Sequence, residues 1–212
     1  MSKEDVKETR GKVTRRTFLK GMGSGFISTT ALTTGLLNEE TVAAILEPQT
    51  ETLSGSQMIL LTVNGKKYRT QVEPCTTLLS ALRDKLDITG AKEACDRGQC
   101  GACSVIIDGK SMLSCMMLAV DARGKEITTV EGLSDGDKLS TVQQAFVEHD
   151  ALMCGFCTPG FVISATALLR DNPNPTLDEI KLGLSGNLCR CGAYPKVFEA
   201  VQNAQHMTRK GG

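Results

Sequence analysis

The sequence predicts an α+β chain: strands wrapped on one helix, followed by an all-α part of four helices. Three observations carry that expectation. Two tight-turn dipeptides, Asn64-Gly65 and Asp108-Gly109, separate short strand-like runs in the first half. From Leu139 onward, apolar residues recur at helical spacing between capping and breaking residues. Eight of the nine cysteines fall into two groups of four, one in each half.

Bulk properties narrow the function classes. With 212 residues, 41% hydrophobic and 23% charged, the chain has room for one medium domain or two small ones. Its formal net charge is zero, Trp is absent and aromatics are 4%, so neither a basic face nor a stacking platform offers itself to nucleic acid. No run of about 18 apolar residues is present, which argues against a stable membrane span.

Residues 14–20 read Thr-Arg-Arg-Thr-Phe-Leu-Lys, the pattern of a twin-arginine export address centred on Arg15 and Arg16. The weakly apolar Gly21–Leu37 stretch follows, with small residues at Val42-Ala43-Ala44. Residues 1–46 are therefore read as a leader and 47–57, rich in Thr, Ser and Glu, as a linker. That route moves folded proteins with cofactor already installed, which keeps thiols from pairing in an oxidising compartment. The twin-arginine export machinery is the implied partner and the periplasm the implied location.

Residues 58–133 form the first expected domain. Ile59–Val63 and Lys66–Val72 flank Asn64-Gly65 as a hairpin. Thr76 or Thr77 caps a helix carrying Leu78, Leu79, Leu82 and Leu86, and Ser104–Ile107 with Lys110–Leu113 gives a second hairpin. Ile127–Val130 supplies another strand. Residues 134–206 form the second domain, and 207–212 a tail. Its helices start near Leu139, at Pro159 after a Thr158 cap, at the Thr176-Leu177-Asp178-Glu179 capping box, and after Tyr194-Pro195. Asn172-Pro173-Asn174-Pro175 ends the second of them.

The first cysteine group, Cys95, Cys100, Cys103 and Cys115, has the C-x4-C-x2-C…C order of plant-type [2Fe–2S] sites. Gly98 and Gly101 suit a loop that must bend round an anionic cluster without a Cβ in the way. Zinc is the rival, although zinc sites favour paired C-x2-C knuckles. The second group, Cys154, Cys157, Cys189 and Cys191, sits where two helices begin, and helix N-termini favour an anion. Disulfides or zinc are the rivals there. Cys75 lies outside both groups and is read as a small buried hydrophobe. His149 and His206 are read as packing or surface groups.

Thr89-Gly90-Ala91-Lys92, the Cys95 loop, the 154–160 stretch Cys-Gly-Phe-Cys-Thr-Pro-Gly and the 186–191 stretch Gly-Asn-Leu-Cys-Arg-Cys together resemble the small iron–sulfur subunit of the xanthine oxidase family of molybdenum hydroxylases. The resemblance covers roughly residues 58–205. It implies a β-grasp ferredoxin domain followed by a four-helix domain, and two [2Fe–2S] clusters. It also implies a large subunit holding a molybdenum–pterin cofactor, with FAD on another subunit or a cytochrome as acceptor. The leader and the Cys-Gly-Ala-Tyr-Pro stretch are similar to the periplasmic aldehyde oxidoreductase branch. Met153 stands where that family usually has a Gln that helps contact the pterin. Either Met153 simply packs there, or the cofactor's surroundings are altered.

The resemblance implies an electron carrier: aldehyde or N-heterocycle oxidation occurs on the large subunit, and this chain passes the electrons on. A free-standing two-cluster ferredoxin or redox sensor, and a structural zinc or disulfide export protein, are the rival classes. Replacing both Arg15 and Arg16 by Lys keeps the charge but removes what an export receptor reads. The chain, with a large subunit that lacks its own leader, should then stay cytoplasmic on fractionation; undiminished periplasmic activity contradicts the reading of residues 1–46.

Overall fold

The computed structural model describes residues 54–210; the expected leader, most of the linker and the last two residues of the tail lie outside them. Five strands form one mixed sheet: β1 (Gln57–Val63), β2 (Lys66–Val72), β3 (Ser104–Ile107), β4 (Lys110–Leu113) and β5 (Glu126–Thr128), in the order β2-β1-β5-β3-β4. β1–β2 and β3–β4 are antiparallel hairpins, and β1 pairs parallel with β5. Both hairpin turns place their two central residues at positive φ: Asn64 at 52° and Gly65 at 73°, Asp108 at 48° and Gly109 at 88°. That is the twist that an Asn-Gly or Asp-Gly turn accepts at low cost.

Alternation along β1 buries Ile59, Leu61 and Val63 and leaves Met58 and Leu60 exposed. Helix α1 (Leu78–Ser80) closes this core with Leu78 and Leu79, joined by Leu82 of the turn that follows. Thr77 caps it, its hydroxyl accepting from the Ser80 N–H at 3.2 Å. Beyond Ser80 the backbone widens to a π-helical turn, Ala81–Lys85, which the leucine spacing did not reveal. β5 ends at Thr128, and Val130 opens a 3₁₀ turn, Val130–Leu133, instead of extending the strand as expected.

Four helices follow: α2 (Thr141–Glu148), α3 (Thr158–Asp171), α4 (Leu177–Gly183) and α5 (Tyr194–Lys210). Full capping boxes open α2, from Ser140 and Gln143, and α4, from Thr176 and Glu179. The cap of α3 is Cys157 rather than Thr158, which places Pro159 second in the helix. Phe146, Phe161, Ile180, Val197 and Val201 form the shared core of these helices.

All four residues of β3 are buried, because the strand is covered on both faces. Val105 and Ile107 face the α1 core, while Ile106 packs with Ile163 and Ala167 of α3. This seam fastens sheet to helices. Among the described residues no helix is long and apolar enough to cross a membrane. Cys75, expected to be buried, is exposed: it lies in the turn after β2, its thiol 3.9 Å from the Glu73 carboxylate.

Truncating the seam should be costly. Ile163→Ala removes a fully buried side chain and should lower stability by about 2–5 kcal/mol. Val147→Ala on the exposed face should stay within about 0.5 kcal/mol. Denaturant unfolding followed by circular dichroism compares the two, and equal effects contradict the seam.

Candidate metal centres

The loop from Cys95 to Cys103 winds through three left-handed residues, Asp96 (φ 48°), Gly98 (φ 74°) and Gly101 (φ 68°). Such winding turns backbone N–H groups towards one side, where an anion is favoured. The Gln99 N–H donates to Cys95 Sγ at 3.3 Å. Ser104 Oγ donates to the Gly101 carbonyl at 2.7 Å, and Ser114 Oγ to that of Cys103, also at 2.7 Å. The second of these bonds brings Cys115, on the 3₁₀ turn after β4, beside Cys103. Upstream, the Gly90 N–H donates to the Glu131 carboxylate at 2.6 Å and the Lys92 N–H to the Ala102 carbonyl at 3.0 Å, which anchors the approach to the loop.

The second set is built on helix starts. Cys154 and Cys157 lead into α3; Cys189 and Cys191 lead into α5, with Gly155 (φ 80°) and Gly192 (φ 82°) making the bends. The Ala193 N–H donates to Cys189 Sγ at 3.4 Å, and the Cys189 N–H donates to the Tyr194 hydroxyl at 2.8 Å. Tyr194 is itself held edge-on against Phe161, with ring centroids 6.0 Å apart. A cavity of about 430 Å³ is lined by all four of these cysteines, by Tyr194, and by Cys100 of the first set.

The thiols meet in pairs: Cys95 with Cys100, Cys103 with Cys115, Cys154 with Cys191, and Cys157 with Cys189. Charge links the pairs within each set, Cys115 to Cys95 and Cys154 to Cys189. As free thiols they are pulled apart in acidity. The Arg97 N–H, partly opposed by burial, lowers Cys95 to about 7, while burial and Cys103 raise Cys115 to about 11. Burial and then Cys189 raise Cys157 to about 12. Burial also works against ionisation of Cys189, but N–H groups of Ala193, Cys191 and Gly192 and the Cys157 thiol outweigh it and lower its pKa. The Phe156 N–H and the Cys191 thiol lower Cys154, and Cys191 is raised in turn by Cys154.

Four thiolates this close repel unless positive metal lies among them. Among the described residues, no three His, Cys, Asp or Glu side chains converge tightly enough on one point to hold a single ion. Two linked pairs fit a two-iron cluster, each iron taking one pair and the N–H groups stabilising its sulfurs. The donor chemistry and the cradles therefore fit the expected group. All nine cysteines are free, so the disulfide rival finds no bridge.

The 61–131 stretch matches the model of a 2Fe-2S iron-sulfur cluster binding domain, and 129–202 that of a [2Fe-2S] binding domain. The chain is 37% identical over 207 residues to the aldehyde oxidoreductase iron-sulfur-binding subunit PaoA of Escherichia coli K12, covering 91% of this chain and 88% of that one. It is an iron–sulfur subunit of the molybdenum hydroxylase family. This iron–sulfur subunit is also 49% identical over 142 residues to the nicotine 6-hydroxylase small subunit of Paenarthrobacter nicotinovorans, covering 67% of this chain and 86% of that one. Among solved structures, a chain of quinoline 2-oxidoreductase from Pseudomonas putida 86 superposes with a TM-score of 0.70 at 44% identity, covering 74% of this chain and 99% of that one.

Sequence reasoning passed over several residues of these sites. Tyr194 and Asn187 lie in stretches that carry the family resemblance, but with no role of their own, and Ser104, Ser114 and Glu131 carry no pattern. Gly101 matters for a further reason: a Cβ there would stand 2.5 Å from the Gly186 carbonyl oxygen. Met153 does not pack within the chain; it is 63% exposed, beside the exposed Leu152, Cys154 and Phe156.

In the cluster-stripped chain at pH 7, Cys95 is about half thiolate whereas Cys157 stays protonated, although both are half-buried. Timed iodoacetamide labelling read by mass spectrometry should modify Cys95 well before Cys157. The reverse order contradicts the electrostatics described.

Proposed function

We infer that this chain carries electrons through two [2Fe–2S] clusters, one held by Cys95, Cys100, Cys103 and Cys115 and the other by Cys154, Cys157, Cys189 and Cys191. The observation that carries the reading is the meeting of eight thiols as two linked pairs in each set. The fold assignment is a β-grasp ferredoxin domain over 58–133 and a four-helix domain over 134–206. The mixed sheet and the four later helices support it. When bound, each cluster takes up and releases one electron at a time.

The chain's own residues hold, bury and tune those groups. Gln99 and Ala193 N–H groups donate to ligand sulfurs, which favours the more negative, reduced state. Tyr194 fixes the Cys189 backbone, and the buried Cys103 and Cys115 exclude water from one side of the first site.

The reaction belongs to a molybdenum-dependent hydroxylase acting on an aldehyde or N-heterocycle. Its large molybdenum–pterin subunit covers the second set, where exposed Leu152, Met153, Phe156 and Leu188 rim the exposed Cys154 and Cys191. Met153 then contributes an apolar contact on the pterin side in place of a polar one. The first set faces the outgoing acceptor, FAD or a cytochrome. The twin-arginine address makes the complex periplasmic.

Rapid-freeze EPR after substrate addition tests this order. Cys100→Ala should leave the second cluster reducible and stop onward transfer. Cys157→Ala should strand electrons on molybdenum. If Cys157→Ala left the Cys95 cluster rapidly reducible while Cys100→Ala blocked the other, the order is reversed.

A further inference from the structure

Tyr194 carries a proton at the second thiol set that the roles above leave unassigned. Its hydroxyl oxygen receives the Cys189 N–H at 2.8 Å. A phenol hydroxyl is a donor as well as an acceptor, so its own O–H still has to be placed. Among the described residues, none accepts that proton in a hydrogen bond. The ring lines the same cavity of about 430 Å³ as Cys154, Cys157, Cys189 and Cys191.

The hydroxyl is held in place. The ring stands edge-on to the fully buried Phe161, with centroids 6.0 Å apart, and lies 6.3 Å from the Phe198 ring. Rotation of the ring about its own axis leaves the oxygen where it is. Packing alone does not call for that oxygen, since a phenylalanine would fill the same space. The neighbouring Ala193 N–H goes straight to Cys189 Sγ at 3.4 Å, whereas the Cys189 N–H is taken up by the phenol. A hydroxyl whose oxygen already accepts a hydrogen bond is the stronger donor, because each bond polarises the next.

We propose that Tyr194 is a tuning residue of the second site, its O–H donating into the thiol-lined cavity to sulfur of the bound two-iron group. The proposal rests on reading the second thiol set as a cluster site. Uptake of one electron makes that sulfur more negative and strengthens the bond, so the hydroxyl raises the potential of the site. The phenol proton stays on oxygen in both states, and no covalent bond forms or breaks. Tyr194 thereby makes the second site a better acceptor for electrons arriving from the large subunit.

The test uses the assembled complex with two variants that alter the hydroxyl in opposite senses. Tyr194→Phe removes the donor. Tyr194→3-fluorotyrosine makes the O–H a stronger donor and the oxygen a weaker acceptor, and at about pH 6 it keeps its proton. Redox titration followed by EPR reads the potential of each cluster, with the Cys95-set cluster as internal reference. Tyr194→Phe should make reduction of the second cluster about tenfold less favourable, a downward shift of about 59 mV for one electron. The fluorinated variant should shift it upward, and the first cluster should stay unmoved in both. A role confined to receiving the Cys189 N–H predicts that the fluorinated variant moves downward or not at all. That result overturns the proposal, as does an unmoved second cluster in Tyr194→Phe or an equal shift at both clusters. If Tyr194→Phe does not assemble, the fluorinated complex decides alone by the same sign. Absence of two cluster signals in the unaltered complex instead overturns the cluster reading beneath the proposal.

Discussion

Bringing four thiol groups together as two linked pairs, twice in one small chain, is the constraint on which the rest of the structure depends. Each ionised sulfur raises the cost of ionising the next, as the upward push on Cys115 by Cys103 and on Cys157 by Cys189 records. The chain answers with N–H groups aimed at sulfur and with left-handed bends that aim them. Those bends are conformations in which glycine is at ease, and they explain Gly98, Gly155 and Gly192 beside the cysteines. What these devices leave unbalanced is the charge that iron would neutralise.

The scaffold is arranged to keep those loops from moving. The first is tied at both ends: Lys92 to Ala102 before it, and Ser114 to Cys103 after it. The second is tied by Tyr194, whose ring is packed against Phe161 while its hydroxyl receives the Cys189 N–H. β3 carries the load between them, since it emerges directly from the first loop and its buried Ile106 rests on α3, the helix that begins at Cys157. Rigid elements thus set the spacing of the two sites, which suits a carrier whose job is to move charge without rearranging.

Much of this was legible in the sequence because it is local. Asn64-Gly65 and Asp108-Gly109 each force a turn, the Thr176–Glu179 box announces its helix, and the cysteine spacing marks the first loop without help from the fold. Ser140 and Gln143 form an equally readable box at the start of α2. What escaped depends on distant partners. The π-helical turn after Ser80 and the end of β5 at Thr128 leave no mark in residue preference, and Cys75 is exposed because it sits in the turn after β2. Asn187 is the clearest case: it stands in a recognisable stretch, but its partner, the Gly101 carbonyl 86 positions away, shows only in the fold. The start of α3 shifted by one residue because Cys157, held within its thiol set, occupies the cap that Thr158 was expected to fill.

The central claim is that both thiol sets hold two-iron clusters, and metal and sulfide stoichiometry tests it most directly. Purified with its partner, the chain should carry about four iron atoms and about four acid-labile sulfides, with two distinct EPR signals on reduction. Stoichiometric zinc without labile sulfide, or a single cluster's worth of iron with one reduced signal, would contradict it.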